Sequence, residues 1–251
     1  ILTAPTITLS GAGPIALASG ARVGQAGAIV DLSSSAGGID QNAGATIVAD
    51  VLRSATGVVG PVTLNGTANA IGTIAAFDVT GAAGDFALVS KTALTVSGQL
   101  SAQRNIVLTT QSAGGITVGG AITAQGSIAL NADGGPLALN SGAIVAAPTV
   151  AARAATGGIA INAGATLGQA GATLDLGTTG AIDEDPAATI RAAILRSTAG
   201  VTGAVTLPGT ANAIDAIGSL AISGANADFL LVNSGSLAIA GPLSAPRDIH
   251  L

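Results

Sequence analysis

The chain contains no cysteine, methionine, tryptophan or tyrosine. Without cysteine there is no disulfide, no thiol nucleophile and no thiolate metal site. Such a chain also fits passage through an oxidising compartment. Phe77, Phe86 and Phe229 are the only aromatic residues and His250 the only histidine. Sugar-processing sites rely on clustered acids and aromatic platforms, and general acid–base chemistry most often uses histidine, so both are poorly supplied here. Charged residues make up only 8% of the chain, with 13 acids, 8 bases and a net charge of −5. No Lys/Arg cluster recommends a nucleic-acid or anionic-membrane surface. Gly, Ser, Thr or Asn interrupts every apolar run before the roughly 18–20 residues of a spanning helix, so no membrane insertion is expected. The first residue is Ile1 and no signal-peptide pattern follows, so a processed chain or a segment of a longer one is expected.

What remains is Ala, Gly, Thr, Ser, Val, Ile and Leu, with 37 glycines and a mean hydropathy of +0.67. That is too apolar for a disordered linker. Ser127–Ala147 (SIALNADGGPLALNSGAIVAA) shows the pattern most simply. Ile128-Ala129-Leu130, Leu137-Ala138-Leu139 and Ala143-Ile144-Val145 alternate with period 2, separated by turn-forming Asn/Asp/Gly/Pro/Ser segments. Three short strands in one such stretch, followed at once by the same pattern, predict one coil of a parallel β-helix. Strand-like openings recur at Thr6, Ile29, Val51, Phe77, Ile106, Ile128, Thr149, Thr173, Ile194, Leu220 and Ile249. Their intervals of 21–29 residues predict 10–11 coils of three strands each. The long interval Phe77–Asn105 suggests an excursion suited to specific contacts.

A longer period is superimposed. Leu52–Leu108 lies over Leu195–Leu251 at an offset of 143 without a gap, with 30 identities in 57 positions. Gly24–Gly27 matches Gly168–Gly171 at offset 144, and Ala4–Thr6 matches Ala147–Thr149 at 143. Residues 1–251 therefore form one continuous solenoid by expectation, with 1–143 a complete unit and 144–251 a partial second copy. The strand openings give six coils per unit, averaging about 24 residues. A single coil cannot bury its own apolar residues, so neighbours must stack. Alanine content raises a helical alternative, most plausibly at Asp183–Ser197, where Pro186 sits near a first-turn position. Frequent glycine and β-branched residues favour strands there and at the counterpart Asp40–Ser54.

Few residues suggest chemistry, and each has a plain structural explanation. Asp183-Glu184-Asp185 could offer carboxylates to Ca²⁺, but its counterpart is Asp40-Gln41-Asn42, which favours a solvated turn. Asp85 and Asp228, Arg104 and Arg247, and Arg53 and Arg196 are pairs of equivalent positions. Active sites are seldom built once per repeat, so these pairs point to structure, each Asp marking a corner beside an inward Phe. His250 stands where the first copy has Val107. Asn65, Asn69, Asn131, Asn140, Asn212 and Asn233 lie near turns and could stack into hydrogen-bonded ladders. No catalytic, cofactor-binding or metal-ligating residue is assigned, and no cofactor is called for.

One two-part unit, and two further segments with their copies, carry a resemblance. Ala93–Ala102 (ALTVSGQLSA) followed by Ile106–Thr110, together with Ala68–Ile71 and Asp85–Val89, resembles the repeats of filamentous-haemagglutinin-like bacterial exoproteins. That resemblance implies a right-handed parallel β-helix and a structural or adhesive rod at the bacterial cell surface or outside the cell, without catalysis. As partners it implies other copies of the chain or further repeats, end to end or laterally, and host-cell or matrix glycans. No polar cap is evident at either end, so either a longer polypeptide or end-to-end stacking of filament subunits is expected. A carbohydrate-active β-helix enzyme is the weaker rival.

Overall fold

The computed structural model describes residues 1–111 and 114–251, and among them every regular element is a β-strand. The apolar alternation explains why. Leu94–Val96, Ile116–Val118 and Leu137–Leu139 each place two buried residues around one half-buried residue. Gly, Asn and Asp between them turn the chain so that each strand lands beside its counterpart from the previous coil. All pairings are parallel, and the strands form one 30-stranded sheet plus the small pair Leu220–Ala221 and Leu243–Ser244. Asp183–Ser197, the candidate helix, is strand Ile182–Glu184, a turn, and strand Thr189–Arg196.

Two long ladders run the length of this β-solenoid. The first links segments starting at Thr6, Ile29, Val51, Thr73, Leu94, Ile116, Leu137, Ile159, Ile182, Val205, Phe229 and Ile249. The second runs from Ile15 through Ile39, Val62, Phe86, Ile106, Ile128, Val150, Leu174, Leu195 and Ile217 to Ile239. Register partners on both are about 22 residues apart, giving about eleven turns. Shorter ladders bridge the long ones. One, from Val58 to Ile214, precedes the second long ladder in each coil; another, at Arg22, Thr46 and Ala70 and again at Val201 and Leu220, follows it.

These registers revise the coil count per unit. Ile39, Val62, Phe86 and Ile106 lie on the second ladder, whereas their repeat counterparts Ile182, Val205, Phe229 and Ile249 lie on the first. Ile29 and Val51 on the first ladder likewise map to Thr173 and Ile194 on the second. The 143-residue unit is thus six and a half coils of about 22 residues, not six of about 24. The discrepancy arises between Val51 and Ile106. Val51 belongs to the first ladder, Phe77 to a bridging ladder and Ile106 to the second, so the intervals crossed half a turn. The supposed excursion Phe77–Asn105 is instead four strands: Phe77–Thr80, Phe86–Ser90, Leu94–Val96 and Leu100–Ala102.

Stacked inward side chains make the core. On the first ladder Val96, Val118, Leu139 and Ile161 lie in one row, and on the second Leu64, Leu88, Leu108 and Leu130 do so. All are essentially inaccessible. Each such side chain contributes about 1.5–3 kcal/mol by leaving water, but only because a neighbouring coil covers it. Phe77 and Phe86 fill a wide section, with ring centroids 5.0 Å apart and an edge-to-face angle of 64°. Glycine is required where coils touch. Gly24 and Gly168 have φ of +88° and +85°, and a Cβ there would lie 2.0 Å from the Val48 carbonyl oxygen and 2.2 Å from that of Arg191.

Candidate functional site

The polar residues that the sequence duplicates are used to tie coil to coil. Asp31, on the strand Ile29–Ser34, accepts from Arg53 Nε at 2.9 Å and from the Ala55 amide at 3.1 Å. In the second copy Asp175 accepts from Arg196 Nε at 3.2 Å and from the Thr198 amide at 3.0 Å. Both Asp side chains are only 6% exposed, whereas the Arg side chains are nearly half exposed. Arg53 and Arg196 are recognisable as a pair from sequence, but their carboxylate partners were missed. The signal was available, since Asp31 and Asp175 occur in matching Asp-Leu contexts at offset 144.

The Asp-Phe corners work similarly. Asp85 lies 3.5 Å from Arg104 and accepts from the Asn105 amide at 3.0 Å. Asp228 lies 3.5 Å from Arg247 and accepts from the Asp248 amide at 3.1 Å. Phe86 and Phe229 point into the core beside them. Each carboxylate therefore fixes the start of the next coil rather than facing a cleft.

The most developed polar arrangement lies inside. Gln41 occupies an inward position in the row between Leu17 and Leu64. Its Nε2 donates to Asn69 Oδ1 at 2.7 Å, and its Oε1 accepts from Asn69 Nδ2 at 2.9 Å and from the Gly66 amide at 3.1 Å. Asn69 Oδ1 also accepts from the Ile47 amide at 2.8 Å. Nothing buried in this corner is left unpaired, which low-dielectric surroundings demand.

In the second copy Glu184 replaces Gln41 and Asn212 replaces Asn69. Glu184 follows Ile161 in the inward row of the first ladder and is 5% exposed. Its Oε2 accepts from Asn212 Nδ2 at 2.7 Å and from the Gly209 amide at 2.9 Å, while Asn212 Oδ1 accepts from the Ile190 amide at 2.6 Å. Glu184 Oε1 is buried without a hydrogen-bond partner. Burial pushes this carboxyl above its ordinary value. The Asn212 and Gly209 hydrogen bonds pull it partly back, and neighbouring Asp185 adds to the rise. Gly209 permits the approach, since a Cβ there would sit 2.6 Å from Glu184 Oε1.

The acidic triplet is therefore split rather than gathered. Asp183 and Asp185 are exposed and Glu184 points inward, so the solvated-turn expectation holds for its flanks and fails at its centre. Period 2 could have revealed this, because Glu184 shares a face with buried Ile182. Among the described residues, no three His, Cys, Asp or Glu side chains converge as a metal site would require. His250 is exposed at the edge strand Ile249–His250, paired with Leu230. The asparagines form a coil-to-coil pair at Asn140 and Asn162, 3.3 Å apart. Asn131 instead donates to Thr109, and Asn233 accepts from the Ile214 amide.

One surface groove, of about 230 Å³, is lined by Asp78, Ser101, Thr123, Gln103, Gln125 and Gln169, with Ser101 Oγ donating to Asp78. It holds one carboxylate, so it lacks the acid pair of a glycosidase. Another, of about 360 Å³, includes Asp133 and Arg153 among small residues of successive turns. No protein-family model matches the chain, and searches of curated proteins and of solved structures return no match.

Proposed function

We propose that the chain is a structural, adhesive rod of a bacterial surface or secreted fibre, of the filamentous-haemagglutinin-like kind, and that it performs no catalysis. One observation carries the reading: the duplicated ionic residues of both copies are spent in contacts between successive coils. Parallel ladders of about eleven turns place main-chain hydrogen bonds along the rod axis, and bending must strain many of them together. At about 4.8 Å per coil the rod is roughly 50 Å long.

Its partners in this reading are other β-solenoid repeats, of the same chain or of another copy. Ile1, Leu2, Ile239, Ile249 and Leu251 on the terminal coils are 42–89% exposed, and a further coil would cover them. A filament built from separate subunits is the second version of the same idea. Electron microscopy of the native material, with a denaturing gel of the same sample, tests both. Rods with a polypeptide far larger than 23.5 kDa fit a long exoprotein, and rods with a band near that mass fit subunits. Globular particles that cleave alginate-like or pectin-like polymers would exclude either version.

A further inference from the structure

The two buried corners differ at one functional group. Where Gln41 Nε2 donates to Asn69 Oδ1, the second copy places Glu184 Oε1, which has nothing to donate unless it carries a proton. We propose that Glu184 is held as a neutral carboxylic acid at pH 7, its Oε1–H donating to Asn212 Oδ1, so that this corner is a clasp closed by a proton and opened by its loss.

The geometry favours this assignment over an ionised carboxylate. Asn212 is oriented as Asn69 is: its amide nitrogen faces the other carboxyl oxygen and its Oδ1 faces the Ile190 amide. An ionised Glu184 would leave one charged oxygen in an aliphatic row, 5% exposed, with no cation to offset it. The surroundings supply no such cation. The preceding coil offers Ile161 and Asn162, and the following coil Val205–Asn212, none of which titrates. On its own strand and turn, the neighbours Asp183 and Asp185 are exposed acids, not cations. On adjacent strands Arg191 and Asp215 are exposed, and Arg196 is engaged by Asp175. The upward direction of the Glu184 shift is the one this arrangement requires.

The sign follows from linkage. A carboxyl whose value is raised on folding binds more protons in the closed state than in the open one. Its stabilising contribution is complete below the ordinary carboxylate value of 4.5. It falls as pH rises toward the folded-state value and is gone above it. Across that window the closing equilibrium weakens by up to about tenfold per pH unit.

The molecule supplies its own control. Hydrogen exchange of the Gly209 and Ile190 amides, corrected for intrinsic exchange, reports opening of the second corner; Gly66 and Ile47 report the first. Protection at Gly209 and Ile190 is expected to fall with rising pH, up to about tenfold per unit, while Gly66 and Ile47 hold steady. Glu184→Gln should remove the slope, and Gln41→Glu should create one at Gly66 and Ile47. Infrared spectra of the unmodified 251-residue chain at pH 7 should show a neutral-carboxyl stretch that Glu184→Gln lacks. Equal pH slopes at the two corners, or no neutral-carboxyl band at pH 7, would overturn the proposal. Should Glu184→Gln fail to fold, the comparison within the unmodified chain and Gln41→Glu still decide it.

Discussion

The two copies of the 143-residue unit keep most of their inward residues but differ at one buried polar corner. The first corner pairs two carboxamides, Gln41 and Asn69, and satisfies every polar atom; the second pairs an acid with an amide and leaves one oxygen unmatched. Around both, the same elements recur: a glycine admitting the side chain, an asparagine accepting a strand amide, and an Asp–Arg tie nearby. Phe77 of the first copy becomes Leu220, so the edge-to-face pair with Phe86 has no equivalent at Phe229. The Asp–Arg ties and the corner asparagine are thus kept in both copies, whereas the exchange of Gln41 for Glu184 changes what the corner can donate.

The largest contrast is expected at the aromatic residues. Phe86→Ala should cost about 3–5 kcal/mol through lost burial and a cavity. Phe229→Ala should cost less by about 0.5–1.5 kcal/mol, because no ring partner is lost. Denaturant melts of the two variants check the order, and equal losses would mean that the Phe77–Phe86 contact adds nothing beyond area. Next come the asparagines. Asn69→Ala strands the Ile47 amide and Gln41, at about 1–3 kcal/mol for each buried orphan. Asn212→Ala should cost more at pH 5 than at pH 8, because the protonated Glu184 both donates to Asn212 and accepts from it, and that clasp has already weakened at the higher pH. Melts of both variants at the two pH values test this, and no pH effect specific to Asn212 would undo the distinction between the corners.

Smaller effects are expected at the surface ties. Asp31→Ala and Asp175→Ala should each cost about 1–2 kcal/mol, mainly through the stranded Ala55 and Thr198 amides, since their arginines are nearly half exposed. Asp175→Ala should cost the more of the two, because Asp175 also accepts from Thr198 Oγ1 at 2.8 Å whereas Ala55 has no hydroxyl; equal losses would show that this extra bond adds nothing. Asp85→Ala and Asp228→Ala, with more exposed carboxylates, should lose no more than about 1 kcal/mol from the ion pair. That part should shrink as salt rises.

Much of this architecture is legible in the chain itself. Triplets such as Leu137-Ala138-Leu139 announce their strands through alternation, and turn residues announce the corners between them. The half-coil step was not legible. Strands of both long ladders share one apolar signature, as Leu94–Val96 and Ile106–Leu108 show, and nothing in a triplet records the face it joins. Only pairing partners separate them. The buried corners were legible in part: Gln41 stands where its neighbouring strand has Leu17, so its inward direction follows from period 2. That Asn69 and Gln41, 28 residues apart, meet at all depends on the register, and local sequence does not carry it.

The half-coil step also governs what the rod presents to its surroundings. A feature on one long face returns after 143 residues on the other, about 31 Å farther along the axis. The Asp85–Arg104 and Asp228–Arg247 corners already stand in this relation. Repetition here is therefore alternating, like leaves set on opposite sides of a stem. A unit repeating on whole coils would line its marks along one edge. Alternation sets the same Asp–Arg corner on two flanks of the solenoid instead of one.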